Sequence, residues 1–206
     1  MEAKPILFRE PMVRAILEGR KTQTRRVVKL PDDILPERTF VDPGNAPIFG
    51  PGPYVKAFHM VEGEELMYPR IRCPYGYPGD RLWVRETWAL HKAFDKHYDD
   101  THEEIGKGLL HFRADDYAQP INKWKPSIFM PRWASRITLA IAEVRVERVQ
   151  DISPDDCVAE GVTVYGSTDS GDLRQAYAEL WDSINGKTYP WASNPWVWAI
   201  HFSRLP

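Results

Sequence analysis

Alternation of apolar and polar residues in the last third of the chain sets the fold class. From Ser135 onward Ile137, Leu139 and Ile141 recur at every second position, and Val144 and Val146 continue with the opposite parity. A two-residue period belongs to a strand with one buried face, and a change of parity implies a bulge or turn near Ala142-Glu143. The carboxyl-terminal run WVWAIHF repeats the pattern, with Trp196, Trp198, Ile200 and Phe202 on one face of a strand that closes the sheet. A third strand is expected in RLWVRETWAL, after the Gly79-Asp80 break. One side of it carries Leu82, Val84, Glu86 and Trp88, so a carboxylate sits inside an apolar row, and the other carries Arg81, Trp83, Arg85 and Thr87. Helical signals are fewer. Residues 11–18 have Pro11 near the start, i,i+4 pairs Met12/Ile16 and Val13/Leu17, and Gly19 as a stop. Ser153-Pro154-Asp155-Asp156 is a capped start for a helix of one or two turns ending at Gly161. Leu173, Ala176, Tyr177, Leu180, Trp181 and Ile184 follow the helical period across 171–185. Strands outnumber helices and do not alternate with them in a βαβ rhythm. The expected class is therefore α+β, mainly β: a small mixed barrel with two or three short peripheral helices.

Two long insertions interrupt this frame. Between Leu30 and Gly79, Pro43, Pro47, Pro51 and Pro53 mingle with Gly44, Gly50 and Gly52, a composition that predicts an irregular surface segment. The second, about 91–130, is polar over much of its length and reads as an elaboration or lid. With 206 residues, the chain is expected to form a single domain over 1–206. Hydrophobic residues at 43% and charged residues at 27% exclude disordered, collagenous and coiled-coil classes. A formal charge of −2 argues against a bulk binder of duplex DNA and leaves room only for a local basic patch. Cys73 and Cys157 are far apart and suggest neither a disulfide framework nor a zinc site. No apolar leader and no 18-residue apolar run are present, so the expectation is a reduced, cytoplasmic protein with no membrane partner. Six scattered histidines show no ligand spacing, and neither a metal nor another cofactor is expected.

Three groups of residues could carry chemistry. The segment Gly19-Arg20-Lys21-Thr22-Gln23-Thr24-Arg25-Arg26 packs four cations and two hydroxyls into eight residues past a helix end. It is either a solvated basic strand or a site in which a desolvated lysine takes the proton of a threonine hydroxyl. On a regular strand Lys21 and Thr24 would face opposite sides, so the second reading needs a turn or bulge between them. Arg20, Arg25 and Arg26 are neighbouring cations that would lower the lysine pKa. Glu86, on an apolar face beside Trp88, should be paired with Arg25 or Arg136 or be used for chemistry. The stretch from Lys123 to Arg136 holds Lys123, Lys125, Arg132 and Arg136 with Trp124, Phe129 and Trp133, and no acid. Cations interleaved with stacking rings suit a nucleobase or single-stranded RNA, and equally suit core tryptophans with snorkelling cations.

In combination, GRKTQTRR after a short helix, GDRLWVRE, the D-x-x-x-E-G helix from Asp156 to Gly161 and the closing Trp-rich strand resemble the ASCH (activating-signal-cointegrator homology) family. GDRLWVRETW and KWKPSIFMPRWASRIT are similar to the ASCH proteins of phages and prophages. The resemblance implies a PUA-like β-barrel with helices at its rim. It also implies an activity, because small bacterial members hydrolyse the amide of N4-acetylcytidine with a lysine, a threonine and a later glutamate. Carried over by position, Lys21 is the proton acceptor, Thr24 the nucleophile and Glu160 the proton donor, with Lys21 expected within hydrogen-bond reach of Thr24 and Glu160 across the cavity. Those enzymes are about half this length. A non-catalytic RNA- or nucleotide-binding module, or a ribonuclease, using the same basic cleft is the alternative. The partner is then a nucleoside or single-stranded RNA, and a monomer is the expectation.

Overall fold

A computed structural model describes residues 3–30, 39–42, 54–61, 64–67, 71–90, 110–115, 123–164 and 170–206. In chain order, β1 (Lys4–Leu7), α1 (Glu10–Leu17) and β2 (Gln23–Val27) come first. Then follow β3 (Thr39–Asp42), β4 (Tyr54–Val61), β5 (Glu64–Met67), β6 (Ile71–Arg72), β7 (Arg81–Arg85), β8 (Trp88–Leu90) and β9 (Leu110–Phe112). The chain closes with β10 (Thr138–Arg148), α2 (Pro154–Ala159), α3 (Ser170–Asn185) and β11 (Trp196–Arg204). The architecture is α+β with sheet predominating.

Five strands form the central sheet in the order β1-β7-β10-β11-β2. β1 runs parallel to β7 and the remaining pairs are antiparallel. The parity change in β10 is a register shift against β11 between Ile141 and Glu143, which keeps both Ile141 and Val144 buried. β11 lies inside the sheet and is covered on both sides. Trp198, Ile200 and Phe202 enter a core with Ile6, Ile16, Leu82, Val84 and Leu139. Val197 instead packs with Val149, Ile152, Cys157, Tyr177 and Trp181, the last three from α2 and α3. That double burial is why the strand is apolar at nearly every position rather than at alternate ones. Each large side chain so buried contributes about 1.5–3 kcal/mol of transfer free energy.

The pairing ladder ends at β1 and β2, and among the described residues no backbone pairing joins these two edges. Side chains bring them together nonetheless. Arg26 Nη2 on β2 donates to the Leu7 carbonyl on β1 at 2.6 Å, and its guanidinium lies 5.1 Å from the Phe8 ring centre. The sheet is therefore curled until its edges face one another.

Two expectations are corrected. The segment 30–79 is not uniformly irregular: β3, β4 and β5 pair in sequence and β6 pairs with β4. Its glycines and prolines separate short strands rather than exclude them. The run from Arg81 to Leu90 is not one strand, because β7 stops at Arg85 and β8 pairs with β9 in a separate two-stranded sheet. Glu86 sits at that break, 1% exposed, and is held by Arg136 through Nε at 2.9 Å and Nη2 at 3.1 Å. Beyond it Trp88 joins Leu90, Leu110, Phe112, Met130 and Ala134 in a third core. Within the second insertion the described part thus holds β9 and a short 3-10 turn at Ser127–Phe129, and the rest of that expectation lies outside the described residues. Among the described residues no helix is long and apolar enough to cross a membrane.

Candidate active site

Two helix ends build the site. α1 ends with Gly19 at φ +75°, its N–H donating to the Ile16 carbonyl while the Arg20 N–H reaches back to Ala15. α2 begins at Ser153, whose Oγ accepts from the Asp156 N–H at 3.0 Å, and ends the same way as α1. Gly161 takes φ +87°, its N–H donates to Val158, and the Val162 N–H donates to Cys157. The two turns are then stitched together by the Thr22 N–H, which donates to the Ala159 carbonyl at 2.8 Å. Lys21 and Glu160 flank this stitch, which is why they meet across 139 residues of sequence.

Gly161 serves contact as well as conformation. A Cβ at that position would lie 3.2 Å from the Ala15 Cβ and 3.3 Å from the Lys21 Cβ, so only glycine lets the lysine stem lie flat against the end of α2. Lys21 is 3% exposed and Glu160 5%. The Lys21 Nζ donates to Glu160 Oε2 at 2.5 Å and to the Glu160 carbonyl at 2.8 Å. Burial lowers the lysine pKa and outweighs Glu160, which raises it, while the Arg26 and Arg25 charges lower it further. The second carboxylate oxygen, Oε1, is buried with no hydrogen-bond partner, 3.9 Å from Arg25 Nη1.

Lys21, Thr24 and Glu160 all open on one cavity of about 460 Å³. Phe8, Tyr75, Tyr177, Trp181 and Tyr189 supply its aromatic walls, and burial pushes the Tyr177 phenol well above its usual pKa, so that wall is uncharged. Lys21 precedes β2 in irregular backbone, and the strand proper starts at Gln23, which is the break that sharing a cavity with Thr24 requires. Thr24 is 4% exposed and pairs with Ile200 in the sheet. No hydrogen bond links it to Lys21, whose hydrogen bonds go to Glu160. Glu160 thus lies beside the lysine rather than across the cavity, because the stitched helix ends leave no space between them.

Behind the pair, Asp156 anchors a second network. Gln23 Nε2 donates to Asp156 Oδ1 at 2.6 Å, Arg25 Nη2 to Oδ2 at 2.9 Å, and Arg145 Nη2 to both oxygens at 3.1–3.2 Å. Arg25 also donates to Glu147 and to the Gln23 side chain. Burial alone would raise the Asp156 pKa, but Gln23, Arg25 and Arg145 bring it down to about 2. Arg25 is therefore neutralised and fixed by acids, and it acts on the cavity mainly as a wall and as a charge behind Glu160.

The remaining candidates lie apart from this cavity's lining. Arg20 is exposed and pairs with Glu18. Glu86 is the partner of Arg136, which also binds Asp115 at 2.7 Å and lies 4.0 Å from the Phe112 ring centre. Burial raises the Glu86 pKa despite that partner. Trp88 and Trp133 pack edge to face at 6.0 Å, and Lys125 sits 5.1 Å over Trp88. Arg113 covers Trp124, and Arg132 covers Trp83. Lys123 is exposed. In the basic aromatic stretch Lys125, Arg132 and Arg136 lie over rings while Phe129 is 72% exposed, and only Ser127 lines the cavity. Sequence reasoning missed Phe8, for which no local signal exists. It also took the Tyr177/Trp181 stripe as core alone, whereas the stripe borders the cavity as well.

Among the described residues no group of His, Cys, Asp or Glu could hold a metal ion. No family model, curated protein or solved structure matches the chain.

Proposed function

We propose that the protein hydrolyses the exocyclic amide of an N4-acylated cytosine nucleoside, with Thr24 as nucleophile, Lys21 as base and Glu160 as acid. The observation that carries the reading is the buried Lys21–Glu160 contact opening on the same cavity as Thr24. A proton moved along that 2.5 Å contact turns ammonium and carboxylate into amine and carboxylic acid, which are the base and the acid that acyl transfer needs. Burial lowers the Lys21 pKa and so favours its amine form.

The amine of Lys21 takes the Thr24 hydroxyl proton as Oγ1 attacks the acyl carbon. Glu160 protonates the departing N4 amine, and the acyl group remains on Thr24 as an ester. Water then attacks the ester and gives its proton to the Glu160 carboxylate. Lys21 returns its proton to Thr24, which leaves the pair as it began. The unpartnered Glu160 Oε1 would face the amide nitrogen, and the aromatic walls suit a planar base. The curled sheet, with Arg26 reaching from one edge to the other, supports assigning the fold to the PUA-like ASCH barrels. The RNA-binding alternative uses Arg25, Arg26, Lys123, Lys125, Arg132 and Arg136, of which Arg25 and Arg26 line the cavity and the other four lie apart from it.

The test is chromatographic detection of cytidine from N4-acetylcytidine. Glu160→Gln, which cannot donate the acid proton, is expected to slow release about 10²–10⁴-fold. Absence of turnover by the wild type contradicts the proposal.

A further inference from the structure

A second cavity of about 550 Å³ adjoins the first, and Val27, Lys29 and Tyr75 line both. The two differ in charge. The first contains Glu160, and its most buried cations, Lys21 and Arg25, are spent on carboxylates. Among the described residues the second is lined by Lys4 and Lys29, beside Arg72, and by no acid, and the buried Trp198 forms part of its apolar wall. Lys4 Nζ donates once, to the Pro74 carbonyl at 3.1 Å, which leaves donors on the same ammonium. Lys29 makes no ion pair with any described residue.

Lys4 and Lys29, on a concave surface with no acid among its described lining residues, suit a compact anion. Lys29 and Tyr75 line both cavities, so one molecule can reach from the first into the second. We propose that the second cavity is a phosphate subsite, so that the substrate is a phosphorylated cytosine nucleotide rather than a free nucleoside. The assignment rests on the cytosine reading of the first cavity. It adds what that reading leaves open, the chemistry attached to the sugar.

Calorimetric titration of the wild type with cytidine and with cytidine 5′-monophosphate tests it without requiring turnover. The monophosphate is expected to bind about tenfold more tightly at low salt, a gap that shrinks as salt rises. The ratio should fall to near one in the double variant Lys4→Gln/Lys29→Gln, whose melting temperature shows that it is folded. A short cytidine-containing oligonucleotide forms a third arm. Tighter binding than the monophosphate assigns the phosphate to an RNA chain, and equal or weaker binding assigns it to a mononucleotide. Equal affinity for cytidine and its monophosphate overturns the subsite, as does a preference that survives the double substitution or failure of the monophosphate to bind. Phosphate preference without hydrolysis of the N4-acetyl compounds retires the amidohydrolase reading alone, and hydrolysis without phosphate preference retires the subsite alone.

Discussion

At the scale of single residues, the site depends on atoms that are absent as much as on those present. Gly161 has no Cβ, and the Lys21 stem fills that space. Gly161→Ala therefore forces a left-handed φ on an L side chain and pushes the lysine off the end of α2. Denaturation should show a loss of about 1–2 kcal/mol, and activity should fall further than this loss explains, because the proposed base, Lys21, moves. A variant with wild-type stability and rate would contradict the packing described. Asp156 gives a pH-dependent counterpart. Its folded-state pKa of about 2 lies below the ordinary 3.8, so its contribution is fully present above pH 4 and is lost as the pH falls through 2. Asp156→Asn leaves Arg25 and Arg145 without their shared anion and should cost about 3 kcal/mol near neutrality. The stability gap between wild type and variant should narrow in acid, since the wild-type carboxylate then becomes neutral as well. A gap that stays constant from pH 7 to pH 2 would show that the carboxylate charge is not what Asp156 contributes.

At the scale of elements, the break between β7 and β8 is the structural use of a carboxylate that reads as misplaced in sequence. Glu86 interrupts an apolar row because Arg136 meets it with two guanidinium hydrogen bonds, and the strand turns there into a separate core. Arg136→Ala leaves a buried carboxyl group unpaired and should lower stability by about 3 kcal/mol. Arg136→Lys should recover only part of this, since an ammonium cannot supply the fork. Thermal denaturation of both variants decides the matter, and a wild-type melting temperature for Arg136→Ala would reject it. The long strands and their bulge were legible in the sequence because period-two burial is a local property, and Ser153 and Gly161 are equally local signals for α2. The Lys21–Glu160 contact was not legible as a contact, because it arises from two helix ends joined by the single hydrogen bond from Thr22 to Ala159. The strands in 30–79 were hidden for a different reason: proline and glycine mark the turns between short strands as readily as they mark a loop.

At the scale of the molecule, a curled sheet brings its two edges face to face, and the cavities line up along that meeting. Arg26 spans the gap to Leu7, Lys21 and Thr24 lie on the β2 side, and α2 and α3 close over them with Glu160 and Tyr177. Sheet, helix ends and buried ion pair thus border one cavity with Thr24, a hydroxyl 4% exposed. The most direct measurement is the initial rate of cytidine release from N4-acetylcytidine by the wild type and by Thr24→Ala at matched folding. The account predicts measurable release by the wild type and a loss of at least about 10²-fold in the variant. Release that is undiminished in Thr24→Ala, or absent in the wild type, would contradict it.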